Sequence, residues 1–411
     1  MKCKSNPGRV SHRHRDAVAV ISLSKLSEAP TRKNSWPLCT AQTNMLARGV
    51  SLASRRVLRI AGEDAVPFLQ RILTNDVRSL AEAGAAPVYA ALQNAQGRVR
   101  HDLFLHREFG GALLADLPAD GFKDAVDALV KLKLRSPVTL DDAGEELKVV
   151  VAGGEQSEWR DPTDDDHAEH VKPLVEDGPS NANDDILSFL QPDPRWHGLG
   201  VRGVLPAAAA AELLPHGADP IDGENAYAEW RYVNGVAEGS ELANLLPLEC
   251  NLAGLNAIAF DKGCYIGQEL TARTHYTGVV RKRIVPALFA RRSQWIAKDS
   301  AGVGGRASTP QEEWEGHEAP DASSPPPLRP RARAGMDVFL DGAVGGKPVG
   351  KVIAARGDVG LIMLRLTHLA KADSAEDLAL VVHGNETACN IDARVHVPDW
   401  WDTRWLESSL G

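Results

Sequence analysis

Residues 261–276 read Asp261-Lys262-Gly263-Cys264-Tyr265-Ile266-Gly267-Gln268-Glu269-Leu270-Thr271-Ala272-Arg273-Thr274-His275-Tyr276, the densest chemistry in the chain. Cys264 lies in a glycine-flanked turn just before a helix-compatible run, Gln268 to His275. From Lys262 to Arg283 there are five bases (Lys262, Arg273, Arg281, Lys282, Arg283) and one acid, a net of +4. A thiol beside a lysine and a helix start is expected to have a depressed pKa, which suits a nucleophile or a soft-metal ligand. Spacing alone is equally compatible with a buried Cys264 acting as a small hydrophobe, and with Lys262 and Arg273 as ordinary surface charges.

That basic stretch sits in an acidic protein. The chain has 411 residues, 46 Lys+Arg against 55 Asp+Glu, 43% apolar residues and five cysteines. Such a length accommodates two or three domains with a buried core. The composition excludes a disordered tail, a disulfide-dense scaffold and a span of about 18 apolar residues crossing a membrane. The net charge of -9 argues against a broad nucleic-acid surface. Residues 1–48 hold nine bases and two acids, so everything after Arg48 has 37 bases against 53 acids. A basic, acid-poor leader without a continuous apolar core reads as an organelle transit peptide, mitochondrial in the favoured reading and plastid in the alternative. A disordered extension, or a misassigned start codon with Met45 as the true start, accounts for the same residues without import. Cys3 and Cys39 fall in the leader, leaving Cys250, Cys264 and Cys389, an odd number without CxxC spacing and so neither a disulfide framework nor a zinc site.

Outward from the cysteine stretch, hydrophobic periodicity divides the chain. The spacing predicts a strand at Arg56–Ile60, a helix within Glu63–Leu73, and a hairpin of Pro87–Leu92 and Val99–His106 around Asn94-Ala95-Gln96-Gly97. Phe122, Ala125, Val126 and Leu129 mark an amphipathic helix, and Val138–Leu140 and Leu147–Val151 further strands. Residues 49–153 thus form an N-terminal α+β domain. Residues 154–185, with eleven acids and two bases from Glu155 on, read as a solvated insertion. A second α+β domain over 186–283 has a strand at Leu199–Leu205, a helix around Tyr227, Trp230 and Val233 ending at Gly235, and the cysteine stretch. Residues 284–411 carry short runs punctuated by Gly and Asp, expected as a C-terminal barrel or sandwich interrupted by a Gly/Ser/Pro-rich insertion at 298–333.

Three apparent motifs carry no weight. Gly345–Lys351 has phosphate-loop spacing, but Val352 replaces the metal-holding hydroxyl and the segment runs into a β-branched strand. Asn385-Glu386-Thr387 is a glycosylation sequon without secretory context. The pairs His101/His106 and His167/His170 lack supporting metal ligands.

The cysteine stretch resembles the signature of the YgfZ/GcvT family of glycine-cleavage T-protein-like proteins. The family's iron-sulfur assembly-factor branch carries K-G-C-F/Y-x-G-Q-E followed by an Ala-Arg pair, here matched by Lys262, Gly263, Cys264, Tyr265, Gly267, Gln268, Glu269, Ala272 and Arg273. The likeness extends from about Leu52 to Trp401 through Leu73-Thr74-Asn75-Asp76, Asn94 to Asp102, Asp193-Pro194-Arg195 and Leu199-Gly200-Val201-Arg202. It implies an α+β, three-part cloverleaf around a central channel, ending in a β-barrel. It also implies an assembly factor of the mitochondrial matrix, acting with A-type scaffold proteins in [4Fe-4S] maturation, with Cys264 as ligand to a transient Fe-S cluster shared with that partner. Lys262 and Arg273 would activate the thiol, and Asp102, Arg231, Tyr265, Gln268 and Glu269 would form the cofactor side of the site.

The same resemblance implies a transferase ancestry and a tetrahydrofolate channel, so a folate-dependent one-carbon or aminomethyl transferase using Asp102 and Arg231 is the alternative. Two departures stand against it. Val233 occupies the position of a pterin-pairing carboxylate in Arg231-Tyr232-Val233-Asn234-Gly235, and the family's paired acids are reduced to His101-Asp102. A third reading makes the chain a scaffold that contacts its partner through Glu155–Asp185.

Overall fold

The computed structural model describes residues 49–153, 190–213, 220–290, 331–343, 346–372, 375, 378–384, 387–402 and 404–407. The expected leader, the acidic insertion 154–185 and the 298–333 insertion, apart from residues 331–333, lie outside the described residues. In chain order the first elements are β1 (Val50–Leu52), β2 (Arg55–Ala61), α1 (Ala65–Ile72), β3 (Val88–Gln93), β4 (Val99–Arg107), β5 (Leu113–Pro118), α2 (Phe122–Lys133), β6 (Thr139–Asp142) and β7 (Leu147–Ala152). After the undescribed stretch come β8 (Gln191–Pro192), β9 (Val201–Pro206), α3 (Ala207–Glu212), α4 (Pro220–Val233) and α5 (Gln268–Thr277). The chain ends in β10 (Lys282–Ala290), β11 (Asp337–Leu340), β12 (Gly350–Arg356), β13 (Val359–Arg365), α6 (Leu366–Leu369), β14 (Leu380–Gly384), β15 (Thr387–Val395) and α7 (Arg404–Glu407).

These elements build three antiparallel parts. A five-stranded sheet runs β3-β4-β5-β2-β6. The α1 helix turns Ala65, Phe68, Leu69 and Ile72 inward, a spacing that puts them on one face, and α2 does the same with Ala125, Ala128 and Leu129. Both helices share a core with Leu58, Leu103, Leu105 and Ala115 of the sheet. A second sheet, β1-β7-β9-β8, pairs Val50 with Val151 and Val149 with Val204. Hydrogen bonding therefore ties segment 49–153 to the chain beyond the acidic insertion.

The third part is a closed barrel, β10-β13-β12-β11-β14-β15. Two of its strands are buried on both faces. In β10, Val285, Ala287 and Phe289 point into the barrel while Ile284 joins the central core; in β13, Ile362 and Leu364 point in while Leu361 and Met363 point out. A period of two sends alternate residues to opposite faces, so one strand serves two cores. Between the barrel and the two sheets lies α4, which adds Ala226, Tyr227, Trp230 and Tyr232 to the central core. The expected α+β cloverleaf with a terminal barrel is the observed fold. Of the phosphate-loop-like segment, Gly350 and Lys351 open β12, a strand.

Candidate functional site

The 261–267 loop is assembled from anchors on either side of Cys264. The Lys262 ammonium donates to the carbonyls of Gln70, Leu73 and Asn75 at 2.8, 2.8 and 2.7 Å. These three bonds use all its protons, and they staple the loop to the end of α1. Burial pulls this ammonium down to about 8, with the Asp76 carboxylate opposing the shift, so it is protonated at neutral pH. On the other side, Tyr265 is buried and Ile266 packs on the core beneath the five-stranded sheet. Burial pushes the Tyr265 phenol up to about 12, a shift reduced by its hydrogen bond with Thr271. The Gln268 side-chain oxygen accepts the Tyr265 amide at 3.3 Å and closes the turn.

Gly267 explains why this turn needs glycine. Its φ is +80°, and a Cβ there would lie 2.5 Å from the Asn94 carbonyl oxygen and 3.0 Å from the Gly97 Cα. The β3–β4 hairpin turn is itself tight, with Gly97 at φ +75° and the Asn94 side chain accepting the Gln96 and Arg98 amides, both at 3.0 Å. The two glycines let hairpin and loop touch backbone to backbone. Gly267→Ala is expected to cost about 1–3 kcal/mol from its positive φ alone, with the clash adding to it. A thermal melt together with faster alkylation of Cys264 is the check; an unchanged melt would show that the hairpin does not hold the loop.

Within this frame Cys264 is exposed, and a Cβ at its neighbour Gly263 would meet open space. Cys250 is buried and pushed well above the ordinary thiol range by desolvation. The structure brings Lys262, Cys264, Tyr265 and Gln268 into one loop, but Lys262 acts as a buried clamp. Its three protons go to backbone carbonyls and none to the Cys264 sulfur. Glu269 and Arg273 lie on the exposed side of α5. Beyond them, His275 stacks on Phe260 with ring centroids 3.6 Å apart. Among the described residues no group of three or more His, Cys, Asp or Glu side chains could hold a metal ion.

Asp102 and Arg231, expected on the cofactor side, lie elsewhere, in a buried ionic network where the two sheets meet α4. Arg55 donates to Asp116 Oδ1 at 2.5 Å and to Asp102 Oδ1 at 3.1 Å. Asp102 also accepts the Gly239 amide at 3.1 Å. Arg202 donates to the second oxygen of Asp116 at 2.8 Å, and its guanidinium lies 3.8 Å over the Phe104 ring. Arg195 bridges Asp193 and Glu238, each at 2.7 Å, and the Tyr227 hydroxyl donates to Glu238 at 2.9 Å. Arg231 donates to Glu241 and to the Val236 carbonyl, both at 2.9 Å. Burial pushes the Glu238 carboxyl up, but Arg202, Arg195, Arg55 and Arg231 outweigh it and hold the group well below the usual range. Asp116, Arg195, Arg202 and Glu238 were not singled out as site residues by sequence reasoning. The available signal was arginine or aspartate at inward positions of apolar strands, as in Val201–Pro206 and Leu113–Pro118.

An α+β cloverleaf with a terminal barrel defines a chain of the T-protein fold, with Cys264 exposed on an anchored loop. The fold is that of the glycine cleavage system aminomethyltransferase T from Bartonella henselae, with a TM-score of 0.55 at 14% identity, covering 88% of this chain and 89% of that one. Residues 281–403 match the family described as CAF17, C-terminal beta-barrel domain. The chain is 33% identical over 387 residues to the mitochondrial iron-sulfur cluster assembly factor IBA57 homolog of Mycosarcoma maydis, covering 88% of this chain and 86% of the relative. It is 32% identical over 369 residues to the mitochondrial iron-sulfur cluster assembly factor IBA57 of Homo sapiens, covering 86% and 85%. The chain belongs to the IBA57 family.

Proposed function

We propose that this chain is a mitochondrial iron-sulfur cluster assembly factor of the matrix, acting with an A-type scaffold protein in [4Fe-4S] maturation. In this reading the Cys264 thiolate supplies one ligand to a cluster in transit. The Sγ proton leaves to solvent, Sγ bonds to an iron in place of an exchangeable ligand, and no electron is transferred. Clusters are held by four thiolates as a rule, and Cys250 is buried, so a cluster on Cys264 takes its remaining ligands from a partner. The observation that carries the reading is the exposure of Cys264 on a loop anchored by Lys262 on one side and by Tyr265 and Gly267 on the other. Such pre-organisation spares the ordering cost of capture.

The test is anaerobic mixing of the full chain with a cluster-loaded A-type scaffold, following visible absorbance and complex size. Cys264→Ser is expected to abolish the shared-cluster absorbance while leaving the thermal melt unchanged. Undiminished cluster binding and transfer by this variant would remove the reading.

The folate-dependent transferase alternative lacks comparable support, because the buried residues do not fit tetrahydrofolate. A pterin needs a free carboxylate acceptor, whereas Asp102, Asp116 and Glu238 are buried and each already binds arginine. Calorimetric titration with tetrahydrofolate is expected to give no saturable heat, and one-site binding would reinstate the alternative.

A further inference from the structure

Beside the Cys264 loop lies a cleft that cluster ligation does not use. It encloses about 260 Å³ between α5, which contributes Leu270 and Thr274, and the segments carrying Leu246, Pro247, Leu248 and Val280. That volume is below the roughly 300–1,000 Å³ of small-molecule sites and is of the scale that accepts an anchoring side chain. Val279 lines the cleft and remains 51% exposed, and Tyr276, one helical turn from Arg273, is 67% exposed. Large apolar side chains left in water beside a cleft mark a contact surface.

The charge around the cleft narrows the occupant. Of the five bases between Lys262 and Arg283, Lys262 and Arg283 are buried, and Lys282 pairs with Glu249 at 3.3 Å. Arg273 and Arg281 remain exposed, with no ion pair among the described residues. A two-fold contact with a second copy sets the same patch against itself and so brings like charges together. An acidic surface fits. Geometry links the cleft to the sulfur: α5 starts directly after the Cys264 loop, and its first two turns wall the cleft through Leu270, Thr271 and Thr274.

We propose that this cleft is the docking face for the protein whose cluster Cys264 completes. The partner seats an apolar side chain between α5 and residues 246–249 and sets carboxylates against Arg273 and Arg281. This rests on the function proposed above and adds to it how the partner is recognised.

The test measures the affinity of the full chain for the cluster-loaded A-type scaffold under anaerobic conditions, comparing wild type, the double variant Val279→Asp/Arg281→Glu, and Cys264→Ser. Both substituted positions of the double variant are exposed, so its melt and its Cys264 alkylation rate serve as folding controls. The double variant is expected to bind at least tenfold more weakly, and added salt is expected to weaken wild type more than the variant. A complex sensitive to Cys264→Ser but untouched by the double variant overturns the docking face and leaves the ligand reading standing. The reverse pattern upholds the docking face and removes the ligand reading. No complex with wild type overturns both, as does a wild-type dimer that the double variant converts to monomer for the docking face alone.

Discussion

Arg202→Met is expected to destabilise the protein by about 3–5 kcal/mol, the cost of removing one partner from a buried ion pair. The arginine is fully buried, its Nη1 donates to the Tyr227 hydroxyl at 2.9 Å, and its Nε binds Asp116. Methionine preserves much of the packing over Phe104 but leaves Asp116 with Arg55 as its remaining arginine. Three arginines would then face the five carboxylates of the network, Asp102, Asp116, Asp193, Glu238 and Glu241. Lysine at this position cannot restore the planar fork that spans Asp116 and Tyr227. The urea midpoint at pH 7 is the measurement, and a variant as stable as wild type would show that the network contributes no net stability.

The same network sets the direction of pH dependence. Glu238 has a folded-state pKa below its unfolded value, so its contribution is present above about 4.5 and is lost as pH falls through the lower, folded pKa. Arg202 is the largest influence pulling that carboxyl down. In Arg202→Met the pull is weaker and Glu238 takes up its proton at higher pH than in wild type, so the gap between variant and wild type should narrow as pH falls below about 4.5. A constant gap across that range would separate the two residues energetically.

Lys262→Met is the second large effect expected, about 2–4 kcal/mol, because it strips the donor from three backbone carbonyls, of which that of Leu73 is buried. Arginine is a poor substitute, since a planar guanidinium does not converge on three acceptors as an ammonium does. Loss of the clamp should also free the 261–267 loop, seen as faster hydrogen exchange at residues 73–76 and faster alkylation of Cys264. The contrast with Cys264→Ser is diagnostic: one variant loses cluster binding at full stability, the other loses stability first. If Lys262→Met melts like wild type while slowing cluster binding, the lysine acts on the thiol and not on the scaffold.

Local rules made much of the fold legible. The helices at Ala65–Ile72, Phe122–Lys133 and Gln268–Thr277 follow apolar spacing or a glycine start, and the β3–β4 hairpin follows Asn94 and Gly97. The runs after Met336 became strands of a barrel for the same reason. Leu113–Pro118 escaped because all six residues are buried, which removes the alternation that betrays a strand, and because Asp116 reads as an interruption. Lys282–Ala290 escaped because it opens on the bases of the cysteine stretch.

The sequence by itself determined that one thiol, Cys264, sits in a glycine-flanked turn before a short helix, since turn and helix preferences act over a few residues. Which charges anchor the fold was decided only by the tertiary structure. Lys262 reads from the chain as a neighbour of the sulfur, yet its partners lie 187 to 192 residues away in sequence at Gln70, Leu73 and Asn75. Asp102 and Arg231 read as site residues, yet burial commits them to ion pairs that span separate elements. Pairing of buried charges depends on long-range packing, because removing a charge from water is tolerable only where another element supplies its partner.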